Sequence, residues 1–196
     1  MPSRPSAPIA VLAALVATAP LLAIAAWPAP WPEHLTAVAI NTGAFEAPRA
    51  RTVDILIFSW STDADTERTR EIYAVAGAPA LQHRLREEPR LGFIRTPDNV
   101  SYDIRFARQS ANAGTRRIVI ATDRPLRLWQ RAMRSFWLEY PFTFIELRLD
   151  QRGEGEGKMS ISADITEDAE TGLALADYDQ LPVRLMFVRA ADVLTP

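Results

Sequence analysis

Residues 140–165 read YPFTFIELRLDQRGEGEGKMSISADI, and the alternation within them decides the fold. In the first half Ile145, Leu147 and Leu149 point one way while Glu146 and Arg148 point the other. In the second half Met159, Ile161 and Ala163 alternate with Ser160, Ser162 and Asp164. A period of two marks a strand with one apolar and one polar face, so two such runs about a glycine-punctuated acidic turn predict a β-hairpin. A lone hairpin is marginal in water. Other strands must extend it, and its apolar face must be covered.

Working outward, strand patterns recur at Leu35–Ile40, Val53–Trp60, Leu91–Arg95, Val100–Arg108, Arg116–Thr122, Leu173–Tyr178 and Val183–Arg189. Turn signals separate them: Thr96-Pro97-Asp98-Asn99, Asn112-Ala113-Gly114, Asp123-Arg124-Pro125, Glu170-Thr171-Gly172 and Gln180-Leu181-Pro182. Between the second and third runs the period changes. Thr62 with Asp65 is a capping-box variant that starts a helix, Gly77 ends it near Ala76, and Ala78-Pro79 opens a second short helix stopped before Pro89. The predicted class is α+β: an antiparallel β-meander, curled or barrel-like, with a helix pair inserted after an early strand.

The chain is 196 residues long, enough for one domain. Arg4 followed by the uncharged run Ala7–Ala26, with Ala23-Ile24-Ala25 fitting an A-x-A cleavage site, predicts an export signal over residues 1–25. The mature protein is then periplasmic or extracellular; an uncleaved N-terminal anchor is the alternative, weakened by Pro8 and Pro20. Residues 26–48 read as a proline-rich linker and an edge strand, residues 49–190 as a single β-rich domain, and residues 191–196 as a tail. With 48% hydrophobic and 23% charged residues the chain has the balance of a globular protein. It has no cysteine, so packing must supply what disulfides give many exported domains. A formal net charge of −2 carries no footprint for nucleic acid, which needs a basic stripe.

The segments Trp60–Ala64, Phe93–Pro97, Tyr102–Arg108, Ala121–Pro125, Tyr140–Arg148 and Gly153–Met159 resemble a family of exported bacterial hypothetical proteins with no assigned function. The resemblance implies that these segments recur there. It carries no catalytic residue.

Candidate chemistry lies first in the charges within strands. Asp103 and Arg105, and Glu146 and Arg148, alternate with apolar neighbours and project from the opposite face. In a curled sheet they become a polar ligand site or an ion-pair network; on a flat sheet they are surface ladders. The segment 124–137, RPLRLWQRAMRSFW, is basic and amphipathic, so Arg127, Trp129, Arg131 and Trp137 form either a membrane-surface patch or a structural cover for the sheet. Asp150, Glu154 and Glu156 offer oxygens to calcium, but no EF-hand register is present, so no metal and no cofactor is expected. His34 and His83 are the only histidines, and no HExxH, G-x-S-x-G or phosphate-binding loop exists, so no catalytic residue is assigned. A hydrolase using carboxylates such as Asp103, Glu146 or Asp164 is an alternative. The favoured reading is a non-enzymatic exported domain that binds a small or lipid-like molecule or an envelope partner, peripheral membrane contact being a third reading.

Overall fold

The computed structural model describes residues 32–41, 50–128, 141–160, 165–180 and 183–190. The export signal predicted over residues 1–25, the start of the expected proline-rich linker, Trp129, Arg131, Trp137, Asp164 and the expected tail lie outside them. Eight antiparallel strands form a closed barrel. In chain order they are β1 (Glu33–Asn41), β2 (Ala50–Ile57), β3 (Gly92–Arg95), β4 (Ser101–Asn112), β5 (Thr115–Thr122), β6 (Phe144–Leu149), β7 (Glu154–Ser160) and β10 (Val183–Ala190). Around the wall the order is β1-β10-β7-β6-β5-β4-β3-β2, so each strand meets its neighbour in sequence except where β10 crosses to lie between β7 and β1. Strand β1, expected at an edge, is paired on both sides. Outside the barrel lie a two-stranded flap, β8 (Ile165–Asp168) with β9 (Gly172–Leu175), and a 3-10 turn at Tyr178–Gln180.

The alternation that marks the hairpin sets the inside. Leu35, Ile55, Ile94, Ile118, Ile120, Ile145, Leu147, Leu149, Met159, Val183 and Leu185 fill the lumen as one apolar cluster. Gly155 and Gly157 belong to β7 and not to the expected turn; the turn is Asp150–Gly153, where Gly153 takes φ 75. A Cβ on Gly155 would stand 2.0 Å from the Arg148 carbonyl oxygen, and one on Gly157 2.4 Å from a Leu147 methyl. Glycine is required there for the close approach of β6, not for a turn.

Two bulges shift the parity. Between Ile104 and Phe106 the β4 register slips, so Ile104 and Ala107 face the lumen while Phe106 turns outward. Between Leu185 and Val188 the β10 register slips too, leaving Phe187 at φ 54 and 64% exposed. The expected alternation of Tyr102, Ile104 and Phe106 on one face is thus overturned at Phe106, because one extra residue reverses every side chain beyond it.

One helix, α1 (Asp63–Glu87), stands where a pair was expected; it is kinked at Gly77 (φ 71, ψ −170) and carries Pro79. Thr62 caps it: the Asp65 N–H donates to Thr62 Oγ1 (3.1 Å) and the Thr62 N–H to Asp65 Oδ2 (3.0 Å). Its Leu81 and Leu85 join Phe106, Val119, Phe144, Ile165, Leu173 and Leu175 in a second cluster on the outer face of β4, β5 and β6. Strand β5 is therefore buried on both sides, which suits its unbroken run Ile118–Ala121.

The two barrel mouths are closed differently. At one, Leu126 and Leu128 enter the lumen cluster, held by the Leu126 N–H donating to Thr143 Oγ1 (2.8 Å) and the Arg127 N–H to Tyr102 Oη (3.1 Å). At the other, Arg116 of β5 reaches across the lumen to Glu33 of β1 with two bonds of 2.5 and 2.6 Å; Gln109 accepts from its Nε and Trp60 lies beside it. Both charges are buried.

Candidate functional site

Strand register on the outer face sets two like charges, Arg117 of β5 and Arg148 of β6, directly opposite each other, and sets Glu146 opposite Lys158 of β7. Two facing arginines repel unless an anion is shared between them. Glu146 supplies it. Its carboxylate is 0% exposed and accepts from Arg117 Nε (3.1 Å), from Arg148 Nε and Nη2 (3.1 and 3.0 Å) and from the Leu175 N–H (3.2 Å). The last bond exists because the β8–β9 flap folds over β6.

Arg117 extends the cluster to the flap through Asp168 (2.8 Å). Asp168 also accepts from the backbone N–H of Glu170 and of Thr171 and from the Thr171 hydroxyl, which shapes the flap's turn. Burial raises the Asp168 pKa, but the bonds from Arg117 and Thr171 outweigh it and hold the carboxyl at about 2. On its other side Arg148 lies 3.6 Å over the ring of Tyr178. Burial pushes the Tyr178 phenol up, against the pull of Arg148. Lys158, 5% exposed, sits 5.7 Å from the same ring and donates to the Asp179 carbonyl at 3.4 Å.

Two open grooves of about 590 Å³ each meet here. One runs between Ser110, Asn112, Arg117, Asp168 and Glu170, the other between Leu149, Glu154, Glu156, Met186 and Phe187; Thr115 and Arg148 line both. The second groove owes its wall to the β10 bulge.

Glu146 and Arg148 therefore lie together at a groove, but Asp103 and Arg105 do not join them. Across β5 the β4 residue level with Glu146 is Arg108. Arg105 instead donates to the Glu88 carbonyl (2.6 Å) at the end of α1 and to Asp103 (3.0 Å), which also meets Arg90 (3.2 Å). That pair ties down the helix C-terminus. Of the basic segment, Arg127 is described and exposed. The carboxylates of the acidic turn diverge: Asp150 accepts from the N–H groups of Arg152 and Glu154, Glu154 faces Arg189, and Glu156 pairs with Arg184. Among the described residues no group of three or more His, Cys, Asp or Glu is placed to hold a metal, and no helix is long and apolar enough to cross a membrane. His34 and His83 lie apart, beside Asp54 and Glu87.

Arg117, Lys158, Asp168 and Tyr178 escaped the sequence reading. A signal existed for one of them, since Lys158 is the only lysine in the chain. The chain matches no protein-family model, no curated protein and no solved structure, so the roles of these residues rest on their geometry alone.

Proposed function

We propose that this is an exported, non-enzymatic domain that binds a small molecule, or a short segment of an envelope partner, in the grooves that meet at Arg148. The observation that carries the reading is the pre-positioned guanidinium. Glu146 holds two of its nitrogens, the Tyr178 ring backs its plane, and Arg148 remains 44% exposed with Nη1 free of any described partner. A charged group fixed in advance loses little entropy on binding, and this is how concave sites place their few polar anchors.

The carboxylate-hydrolase reading is disfavoured by the same bonds. A general acid or base must exchange a proton with substrate, whereas Glu146 already serves two arginines and a backbone N–H, and Asp103 serves two arginines. The outward face of the barrel also bears these charges, and its apolar residues Phe106, Val119 and Phe144 lie under α1 and the flap, unlike the lipid-facing apolar band of a membrane barrel. Export rests on the leader at residues 1–25.

Native mass spectrometry of protein purified from its own envelope tests the reading. A retained small mass is expected, and it should be lost in Thr115→Trp, whose indole would enter both grooves from an exposed position. Retention at unchanged stoichiometry in Thr115→Trp and in Arg148→Gln, or no bound species in the wild type, would overturn it. Intact mass of the exported form checks the leader: a chain that still contains Ala7–Ala23 rejects cleavage.

A further inference from the structure

Among the described residues, Phe187 of β10 is the one bulky side chain on a left-handed backbone. It has φ 54, whereas Asn99 and Ala113, the other residues with positive φ that are not glycine, sit in the short turns on either side of β4. A Cβ makes that conformation costly, an aromatic one more so, and in a bulge it is ordinarily glycine's place. Little in the fold offsets the strain. The phenyl ring is 64% exposed, belongs to neither apolar cluster, and among the described residues no ring or cation stacks on it. Phe58, the other exposed phenylalanine, packs edge-on against Phe93 with Arg90 over both. Strain kept by a side chain that the fold does not use points to function.

The bulge also decides what Phe187 stands beside. Leu185 and Val188 both face the lumen, so the extra residue leaves two neighbours, Met186 and Phe187, outside together. In a regular strand they would face opposite ways. They wall the groove of about 590 Å³ that Arg148 and Thr115 also line. Its carboxylates are engaged: Glu154 faces Arg189 (3.6 Å), Glu156 accepts from Arg184 (3.2 Å), and Asp150 accepts from two backbone N–H groups. What the groove leaves unanswered is apolar surface.

We infer that Met186 and Phe187 form the contact for an uncharged apolar ring carried by the ligand of this groove. The inference rests on the reading of the groove as a binding site and names the part of the ligand that the wall recognises. A flat apolar ring lies offset against a phenyl face, and the thioether beside it adapts to the ring's outline. Because β10 is paired on both sides, Phe187 is positioned before the ligand arrives, which lowers the entropy lost on binding. The volume suits a small molecule. A stable dimer buries roughly 800 Å² per partner, whereas one aromatic side chain supplies about 150–250 Å², so the wall is sized for a ring and not for a second copy of the chain.

The uncharged dye phenylnaphthylamine, whose fluorescence rises in apolar surroundings, probes the wall in the exported form of the protein. It should bind saturably, one per chain, and be excluded by Thr115→Trp. Two substitutions separate the ring from the backbone. Phe187→Gly removes the ring and relieves the strain, so binding should weaken roughly tenfold while the melting temperature rises by roughly 2–4 °C. Phe187→Ala removes the ring and keeps the strain, so binding should weaken without that rise, and Phe187→Tyr should bind as the wild type does. If Phe187→Gly melts below the wild type, the ring holds the barrel together and the inference is overturned. It is overturned as well if the wild type takes up no dye, or if the Gly and Ala variants bind it as tightly as the wild type. A dimer that Phe187→Gly dissociates in sedimentation, with no dye bound by the wild type, would give the wall to a second copy and overturn it too. If Thr115→Trp releases the native ligand while Phe187→Gly and Phe187→Ala both retain it, the apolar contact is wrong and the groove stands. Dye bound unchanged by Thr115→Trp but lost in Phe187→Ala keeps the contact and removes the groove reading.

Discussion

The lumen and the outer face each bury a carboxylate against arginine, and they do so on different terms. Inside, Glu33 and Arg116 are one anion and one cation, joined by two short bonds, with Gln109 completing the guanidinium's needs. Outside, Glu146 is shared between Arg117 and Arg148, which reach the surface. A matched pair sealed from water can only hold the fold. A cluster that opens onto two grooves through a half-exposed Arg148 keeps capacity for something else, and this access to solvent separates a candidate site from a strut.

The sharpest way to break the comparison is to unbalance the strut. Glu33→Ala leaves the Arg116 guanidinium buried and unpaired and is expected to cost about 3–5 kcal/mol in urea unfolding, whereas the double change Glu33→Leu with Arg116→Met should recover most of it. A double variant as unstable as the single one would mean that the pair has a role beyond mutual neutralisation. Next in size, Leu147→Ala empties the lumen beside Gly157, where no side chain can fill the gap, and should cost about 2–5 kcal/mol. On the other face of the same strand, Arg148→Ala should cost only about 1 kcal/mol, since Arg117 and the Leu175 N–H still serve Glu146. Equal losses at Leu147 and Arg148 in denaturant melts would make Arg148 a strut as well.

The smallest effect belongs to the flap. Asp168 has its pKa lowered from 3.8 to about 2 in the folded protein, so its contribution is complete above the unfolded value and is lost as pH falls through that window. Hydrogen exchange at β8 and β9 should rise between pH 4 and 2 (about one opening equilibrium's worth, not global unfolding) more than exchange in the barrel wall. Asp168→Asn should flatten that rise; a pH response unchanged by the substitution would place the flap's anchor elsewhere.

Where periodicity was unbroken the sequence was readable: Ile145, Leu147 and Leu149 are inside because nothing interrupts their alternation. It failed where a single residue changes the count. Phe106 follows a bulge that no local composition announces, and it therefore lands on the outer face under α1. The glycines of β7 misled for another reason, since glycine serves both positive φ, as at Gly153, and close approach, as at Gly155, and the letter is the same. Strand β8 is too short for its period to be visible. The strut escaped because its halves are far apart in the chain, yet Glu33 shares parity with Leu35 and Ala37, and Arg116 with Ile118 and Ile120, so a charge in register with an apolar face was there to be seen. At the site, alternation gave Glu146 and Arg148 but not that the flap would bury one of them.

The seam of the barrel joins its first strand to its last, with Leu35 opposite Ala190. Until β10 is synthesised, β1 and β7 present unpaired edges and the lumen is open to water, so closure is a late, long-range event of the kind that makes β topologies fold slowly and exposes them to mispairing. The same seam brings positions 33 and 190 near one mouth of the wall. A short bridge there, with new ends cut at the Ala113-Gly114 turn, would give a permuted chain in which β1 and β10 are neighbours in sequence and the slow step moves to the pairing of β4 with β5.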